Sequence, residues 1–123
     1  MRKAEIRVER PDRFFERGRR LARLADHGAP ISPSRVVAFD GVESLLHVLS
    51  EKRIVLLRQV REEPGSIAGL ARKLKRDRSA VARDVQLLER FGVIHVTEKA
   101  LPGHGKQKWV RPVARDIQLT AQL

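Results

Sequence analysis

The stretch SIAGLARKLKRDRSAVARDVQLLERFGVI, residues 66–94, decides how this chain is read. Ser66 is placed to cap a helix over SIAGLARKLKR, with Ile67, Leu70, Ala71 and Leu74 as its inward set. A tight turn is expected at Arg76 and Asp77, and Asp77 is a good N-cap for the next helix, RSAVARDVQLLERF. There Val81, Val85 and Leu88 repeat at i, i+4 and i+7 until Gly92 supplies the stop. Two helices joined by so short a turn, with the small Ala71 at their close approach, describe a helix-turn-helix.

Upstream, SEKRIVLLRQVREE (50–63) predicts a helix with Ser50 as cap and Ile54, Leu57 and Val60 on its apolar face, broken by Pro64-Gly65. Downstream, VIHVTEKA (93–100) and KWVRPVA (108–114) flank LPGHGK (101–106), a hairpin signal. The order is helix, helix, turn, helix, hairpin. Before it, AEIRVE (4–9) alternates as a half-buried strand does, and Phe14, Gly18, Leu21 and Ala25 follow helical spacing from Asp12 to a C-cap at Gly28. A connector over 28–35 leads to a second strand, RVVAF (35–39). Asp40 and Glu43 form a capping box for a short helix with Val42, Leu45, Leu46 and Leu49 as its apolar face. DIQLTAQL (116–123) reads as a closing strand. The fold class is α+β, mainly α. A strand-helix-strand extension over 1–40 precedes the main domain, 41–123, which ends in the C-terminal strand.

At 123 residues and 14.0 kDa the chain has the length of one compact domain, which excludes a large multidomain enzyme. No Cys is present, which excludes disulfides, thiolate zinc sites and thiol catalysis. His27, His47, His95 and His104 are dispersed, so neither a metal nor another cofactor is expected. The N-terminus has charge without an apolar run behind it, and a soluble cytoplasmic protein with no membrane contact is expected. The net charge of +11 is uneven. Residues 71–123 carry twelve basic side chains against five acidic, and residues 41–70 carry four of each. Such a surface points to a polyanion, nucleic acid first; the plain alternative is that Arg merely fills solvated faces.

If Val81, Val85 and Leu88 face a core, Ser79, Arg83 and Gln86 lie about half a turn away, with Arg78 and Ala80 on the first, exposed turn. Arg can fork onto guanine O6 and N7, Gln can pair with adenine, and Ala can touch the thymine methyl, so this face suits DNA bases; a solvated face has the same pattern. In KALPGHGKQKWVR, Lys99, Lys106, Lys108 and Arg111 surround Gly103 and Gly105, a cationic wing able to lie along phosphates with no acid among them. His104 is either a further donor or an exposed residue without a role. Trp109 is expected in the core rather than stacked on a base. Arg72, Lys73, Lys75 and Arg76 on the outer side of the second helix suit phosphate contact or plain solvation equally.

Residues 48–113 resemble the winged helix-turn-helix core of bacterial and archaeal regulators of the MarR and ArsR kind, in which helix two, the turn, the recognition helix and LE..G.I run without gaps. The wider layout, with IRV near the start, VVAF, LLHVLSEKRIVLLR and RDVQLLE, is similar to a group of small DNA-binding regulators, some of which act as antitoxins. The resemblance implies a winged helix-turn-helix with Ser79 and Arg83 on the recognition helix and the 101–108 loop on the wing. The Cys and His ligands of metal-sensing ArsR proteins are lacking here, so metal regulation does not carry over.

No acids converge on a His or on each other, and GHGK lacks the length of a phosphate-binding loop, so an enzyme is not expected. The leading expectation is a sequence-specific regulator of double-stranded DNA, a repressor. The alternatives are an antitoxin that neutralises a toxin protein and regulates its own promoter, and a module binding RNA or DNA without sequence preference. A homodimer is expected, because the winged core needs only part of the chain; Ile6, Phe14, Phe15, Leu21, Val36 and Val37 serve either that contact or a thicker monomer core.

Overall fold

The computed structural model describes residues 3–28, 34–103 and 105–121. The connector expected over 28–35 falls mainly outside that set, as do His104 and the last two residues. The chain divides into two compact units, residues 1–47 with 114–123, and residues 48–113. Among the described residues there are six strands and five helices.

In the first unit, β1 (Lys3–Val8), α1 (Pro11–Asp26) and β2 (Ser34–Phe39) form a parallel crossover, and β6 (Asp116–Ala121) adds to the other side of β1. The sheet order is β2-β1-β6, parallel throughout, with Ile6 level with Val37 and Leu119. Alternation along β1 sets its two faces. Ala4, Ile6 and Val8 are buried, with Phe39 level with Val8. The opposite face carries Glu5 and Arg7, which pair with each other, and Glu9, just past the strand end, accepts a hydrogen bond from Arg17 of α1. That hydrogen bond from Arg7 holds the Glu5 carboxyl below its ordinary range. Pro11 opens α1 at its first turn, where its missing N–H costs nothing. No residue of α1 is buried.

α2 (Val42–Val48) starts one residue later than the Asp40–Glu43 capping box implies. The Gly41 carbonyl takes the first helical bond, from Leu45 N–H, and the Asp40 carboxylate accepts from the Ser44 hydroxyl instead. Leu45, Val48 and Leu49 share the buried side, which leaves Leu46 exposed, contrary to its expected place in the apolar face.

The second unit holds α3 (Glu51–Glu62), β3 (Gly65–Ser66), α4 (Ile67–Leu74), α5 (Arg78–Arg90), β4 (Ile94–Leu101) and β5 (Gly105–Pro112). The strands form an antiparallel sheet of order β3-β5-β4. Ser50 caps α3 by accepting from Arg53 N–H, and Ser66 caps α4 by accepting from Gly69 N–H at 3.0 Å. The core is Leu56, Leu57 and Val60 of α3, Leu70 and Ala71 of α4, Val81, Val85 and Leu88 of α5, and Val93, Ile94 and Val110 around the hairpin. Leu56 replaces the expected Ile54, which is only half-buried, because the packed side of α3 is turned by part of a helical step.

Both helices of the central pair close alike. Val93 N–H reaches back to Leu88 C=O with Gly92 at φ 78°, and Arg76 N–H reaches back to Ala71 C=O with Lys75 at φ 53°. These are Schellman-type ends, and the second turns the chain into α5 within two residues. One buried acid then fixes α5. Asp84 accepts from Arg53 Nε of α3 at 3.1 Å through Oδ1 and from Arg76 Nη2 of the turn at 2.7 Å through Oδ2. Arg53 also donates to Val48 C=O at 3.2 Å. Removing the acid leaves two desolvated guanidiniums facing one another. Asp84→Ala is therefore expected to destabilise the chain by roughly 2–3 kcal/mol in urea unfolding, below the full cost of a buried pair because both arginines keep some solvent contact. A loss within about 0.5 kcal/mol, the range of an ordinary surface substitution, would remove this pair from the account.

Candidate nucleic-acid interface

α5 presents its outer face as the 3.6-residue period dictates. With Val81, Val85 and Leu88 fully inward, Arg78, Ser79, Arg83 and Gln86 are exposed and Ala80 is half-buried. Asp84, one position from Arg83, points inward to Arg53 and Arg76 and is not available as its partner. At the start of α5, Asp77 occupies the N-cap position without a side-chain cap bond. Its carboxylate accepts instead from the Ser79 hydroxyl, which holds the carboxyl below its usual range. Ser79 is thereby tied to the cap.

The hairpin runs from β4 through Pro102 and Gly103 to β5, with Leu101 level with Gly105. Gly103 at φ 79° and Gly105 at φ 73° need the left-handed backbone that glycine adopts without strain. Lys99, Lys106 and Lys108 are exposed on the two strands, as is Arg111. His104 lies outside the described residues. No acid lies within 99–111, but Glu98, one residue before that stretch, is level with Lys108 and its Oε2 lies 3.7 Å from Lys106 Nζ. The hairpin symmetry about residue 103 makes that pairing readable from the sequence once the turn is fixed. Trp109 is not in the core. It is half-buried, with Lys99 Nζ 3.9 Å from its ring centroid, and the adjacent Val110 takes the interior position. Strand alternation allows only one of two neighbours to point inward, and the smaller residue does.

α5 and the hairpin come together. Arg78 and Ala82 of α5, Ile67 and Ala68 at the start of α4, and Lys106, Gln107 and Lys108 of β5 line one open cleft. Sequence reasoning singles out Arg78, Lys106 and Lys108 for contact and places Ile67 in the inward set of α4, whereas Ala68, Ala82 and Gln107 carry no signal. Three cations on the rim of an apolar floor suit a strand of polyanion rather than a small enclosed ligand. Of the cations on α4 and its end, Arg72, Lys73 and Lys75 are exposed, Lys73 pairing with Glu63. Arg76 is not an outer residue: it is mostly buried against Asp84 and its Nη1 has no hydrogen-bond partner among the described residues. Among those residues no group of three His, Asp or Glu is placed to hold a metal ion, and no helix is long and apolar enough to cross a membrane.

The HVO_A0114 family model matches residues 48–119, which takes in the whole of α3 to β5. A comparison with curated proteins gives no match. Among solved structures, a possible transcriptional regulator from Methanosarcina mazei Go1 is similar at 18% sequence identity, with a TM-score of 0.52 over 63% of this chain and 68% of that one. At that identity the likeness is one of fold.

The contact of Lys99 with the ring of Trp109, the one Trp in a chain without Tyr, gives the hairpin its own reporter. Lys99→Met is expected to lower stability by about 0.5–1 kcal/mol and to change the Trp emission of the folded state. Identical emission and stability would show that the ammonium does not sit over the ring in solution.

Proposed function

Because the chain belongs to the HVO_A0114 family and shares its fold with a possible transcriptional regulator, we propose that it is a winged helix-turn-helix regulator that binds double-stranded DNA by sequence and represses transcription. The observation that carries this reading is the shared cleft: the first turn of α5 and the cationic strand β5 face the same open groove. In the proposed complex α5 enters the major groove, with Arg83 and Gln86 at base edges, Ser79 and Ala80 nearer the entry and Arg78 at its rim. Lys106 and Lys108 hold the adjoining phosphates, with Lys99, Gly103 and Gly105 bringing the hairpin backbone close. The role is non-catalytic and cytoplasmic, needs no cofactor, and is carried out by a dimer, so that a two-fold protein meets a palindromic site. A second reading, an antitoxin that also engages a toxin protein, draws on the uncovered apolar side of α1.

Selection from a random duplex pool, followed by footprinting, tests the proposal; it predicts one enriched palindrome, and competition by random duplex at equal strength would overturn it. On the selected site Arg83→Ala is expected to cost roughly 1–3 kcal/mol and to relax preference at one base pair per half-site. An equal loss on every single-base variant would make Arg83 a phosphate contact. Replacing Lys106 and Lys108 with Ala should weaken all duplexes alike and lower the slope of log affinity against log salt by about one to two, whereas an unchanged slope removes the hairpin from the interface. Glu98→Gln should do the reverse, tightening binding to every duplex, since it frees Lys106 from an acid 3.7 Å away.

A further inference from the structure

The first unit holds a cationic cleft of its own, on the side of α1 away from Phe14, Leu21 and Ala25. Arg13, Glu16, Arg17 and Arg20 recur at i, i+3, i+4 and i+7 and so share one side of the helix. With Arg7 and Glu9 at the end of β1 they border an open cleft of about 430 Å³, within the ~300–1,000 Å³ usual for small-ligand sites. Thr120 of β6, level with Arg7, lines it as well. The topology of the unit explains why a cleft opens there. β1 leads through α1 to β2 on one side, whereas β6 joins β1 on the other, and all three strands are parallel. The order of the sheet therefore changes direction at β1, and the cleft lies at the carboxyl ends of β1 and β6. In parallel sheets covered by helices, small ligands bind at that end and at that change of direction.

Four arginines border the cleft against two glutamates. Arg7 pairs with Glu5 and lies 4.0 Å from Glu9, and Arg17 donates to Glu9. Arg13 and Arg20 stand about one turn to either side of Arg17, are exposed, and have no ion-pair partner among the described residues. Burial first, and then the repulsion of Arg7 and Arg20 against the pull of Glu5, hold the Arg17 guanidinium below its ordinary range, so like charges converge on this space. A purely internal network would set an acid against each guanidinium, and this one leaves two without. We propose that the cleft binds a small phosphate ester that carries hydroxyl groups. Arg13 and Arg20 hold its phosphate, since each planar guanidinium offers two parallel donors to one anion. Glu16, exposed and unpaired between them in sequence, accepts from a hydroxyl. A bare anion meets Glu16 only as repulsion, which is why an ester suits the cleft better than inorganic phosphate. The site lies wholly within the first unit and does not rest on the DNA reading.

Isothermal titration calorimetry on the full chain without DNA, at fixed ionic strength, tests it with ribose 5-phosphate, inorganic phosphate and ribose. Ribose 5-phosphate is expected to saturate a single site with a Kd of about 1 mM or tighter, roughly tenfold tighter than inorganic phosphate, and ribose to give no binding heat. Arg13→Gln with Arg20→Gln should weaken ribose 5-phosphate about tenfold or more with an unchanged circular dichroism spectrum, because neither side chain is buried or paired. Arg58→Gln with Arg61→Gln, both exposed on α3, removes the same charge and should leave the Kd as it is. Absence of saturable binding, or a folded Arg13/Arg20 variant that binds as the wild type does, would overturn the proposal. So would an equal loss in the α3 variant or inorganic phosphate binding as tightly as the ester, either of which would leave a surface that answers to net charge alone.

Discussion

The placement of α5 rests on Asp84. Its carboxylate is shared between Arg53 of α3 and Arg76 of the turn, so three segments of the second unit meet at one buried acid. Hydrophobic burial brings Val81, Val85 and Leu88 inward, but apolar contact is non-directional and tolerates some rotation of a helix about its axis. Two charge-assisted hydrogen bonds at fixed geometry remove that freedom. The outer face of α5 is thereby fixed: with Asp84 held inward, Arg83 is presented to solvent, and Ser79 and Gln86 follow at helical spacing.

Much of the fold was legible because its signals are local. Ser50 and Ser66 cap the helices that their positions predict, Gly28 and Gly92 have the positive φ of helix ends, and the strand and hairpin segments appear where alternation places them. The parallel pairing of β6 with β1 was not legible, since nothing in a strand of six residues names a partner more than a hundred positions away. Nor was the Arg53–Asp84 pair, which joins different elements 31 positions apart, whereas the Glu98–Lys106 pair follows from the hairpin register. In a chain with 26 basic side chains, the sequence does not tell which are solvated and which are spent on internal acids. By its position Arg76 reads as an outer cation, yet its guanidinium is held by the Asp84 carboxylate. Trp109 was misplaced for a related reason: a large aromatic suggests a core position, yet Val110 fills the interior and Trp109 takes a lysine over its face.

The two units divide the charge differently. The first pairs half-buried acids and arginines with each other on one face of a parallel sheet and leaves an apolar helix side uncovered. The second packs an apolar interior, holds Arg53 and Arg76 on the buried Asp84, and leaves its other arginines and lysines outside. An uncovered apolar face suits protein contact, and a cationic cleft suits a polyanion, so the proposed assignments follow from what each surface lacks.

The central claim is that α5 lies in the major groove, and guanine N7 reports on that groove alone. Methylation of N7 on the selected duplex, compared between free and bound DNA, tests it most directly. The account predicts guanines within each half-site that are protected by the protein and whose prior methylation prevents binding. Full reactivity of every guanine N7 in a saturated complex, with binding untouched by their methylation, would contradict it.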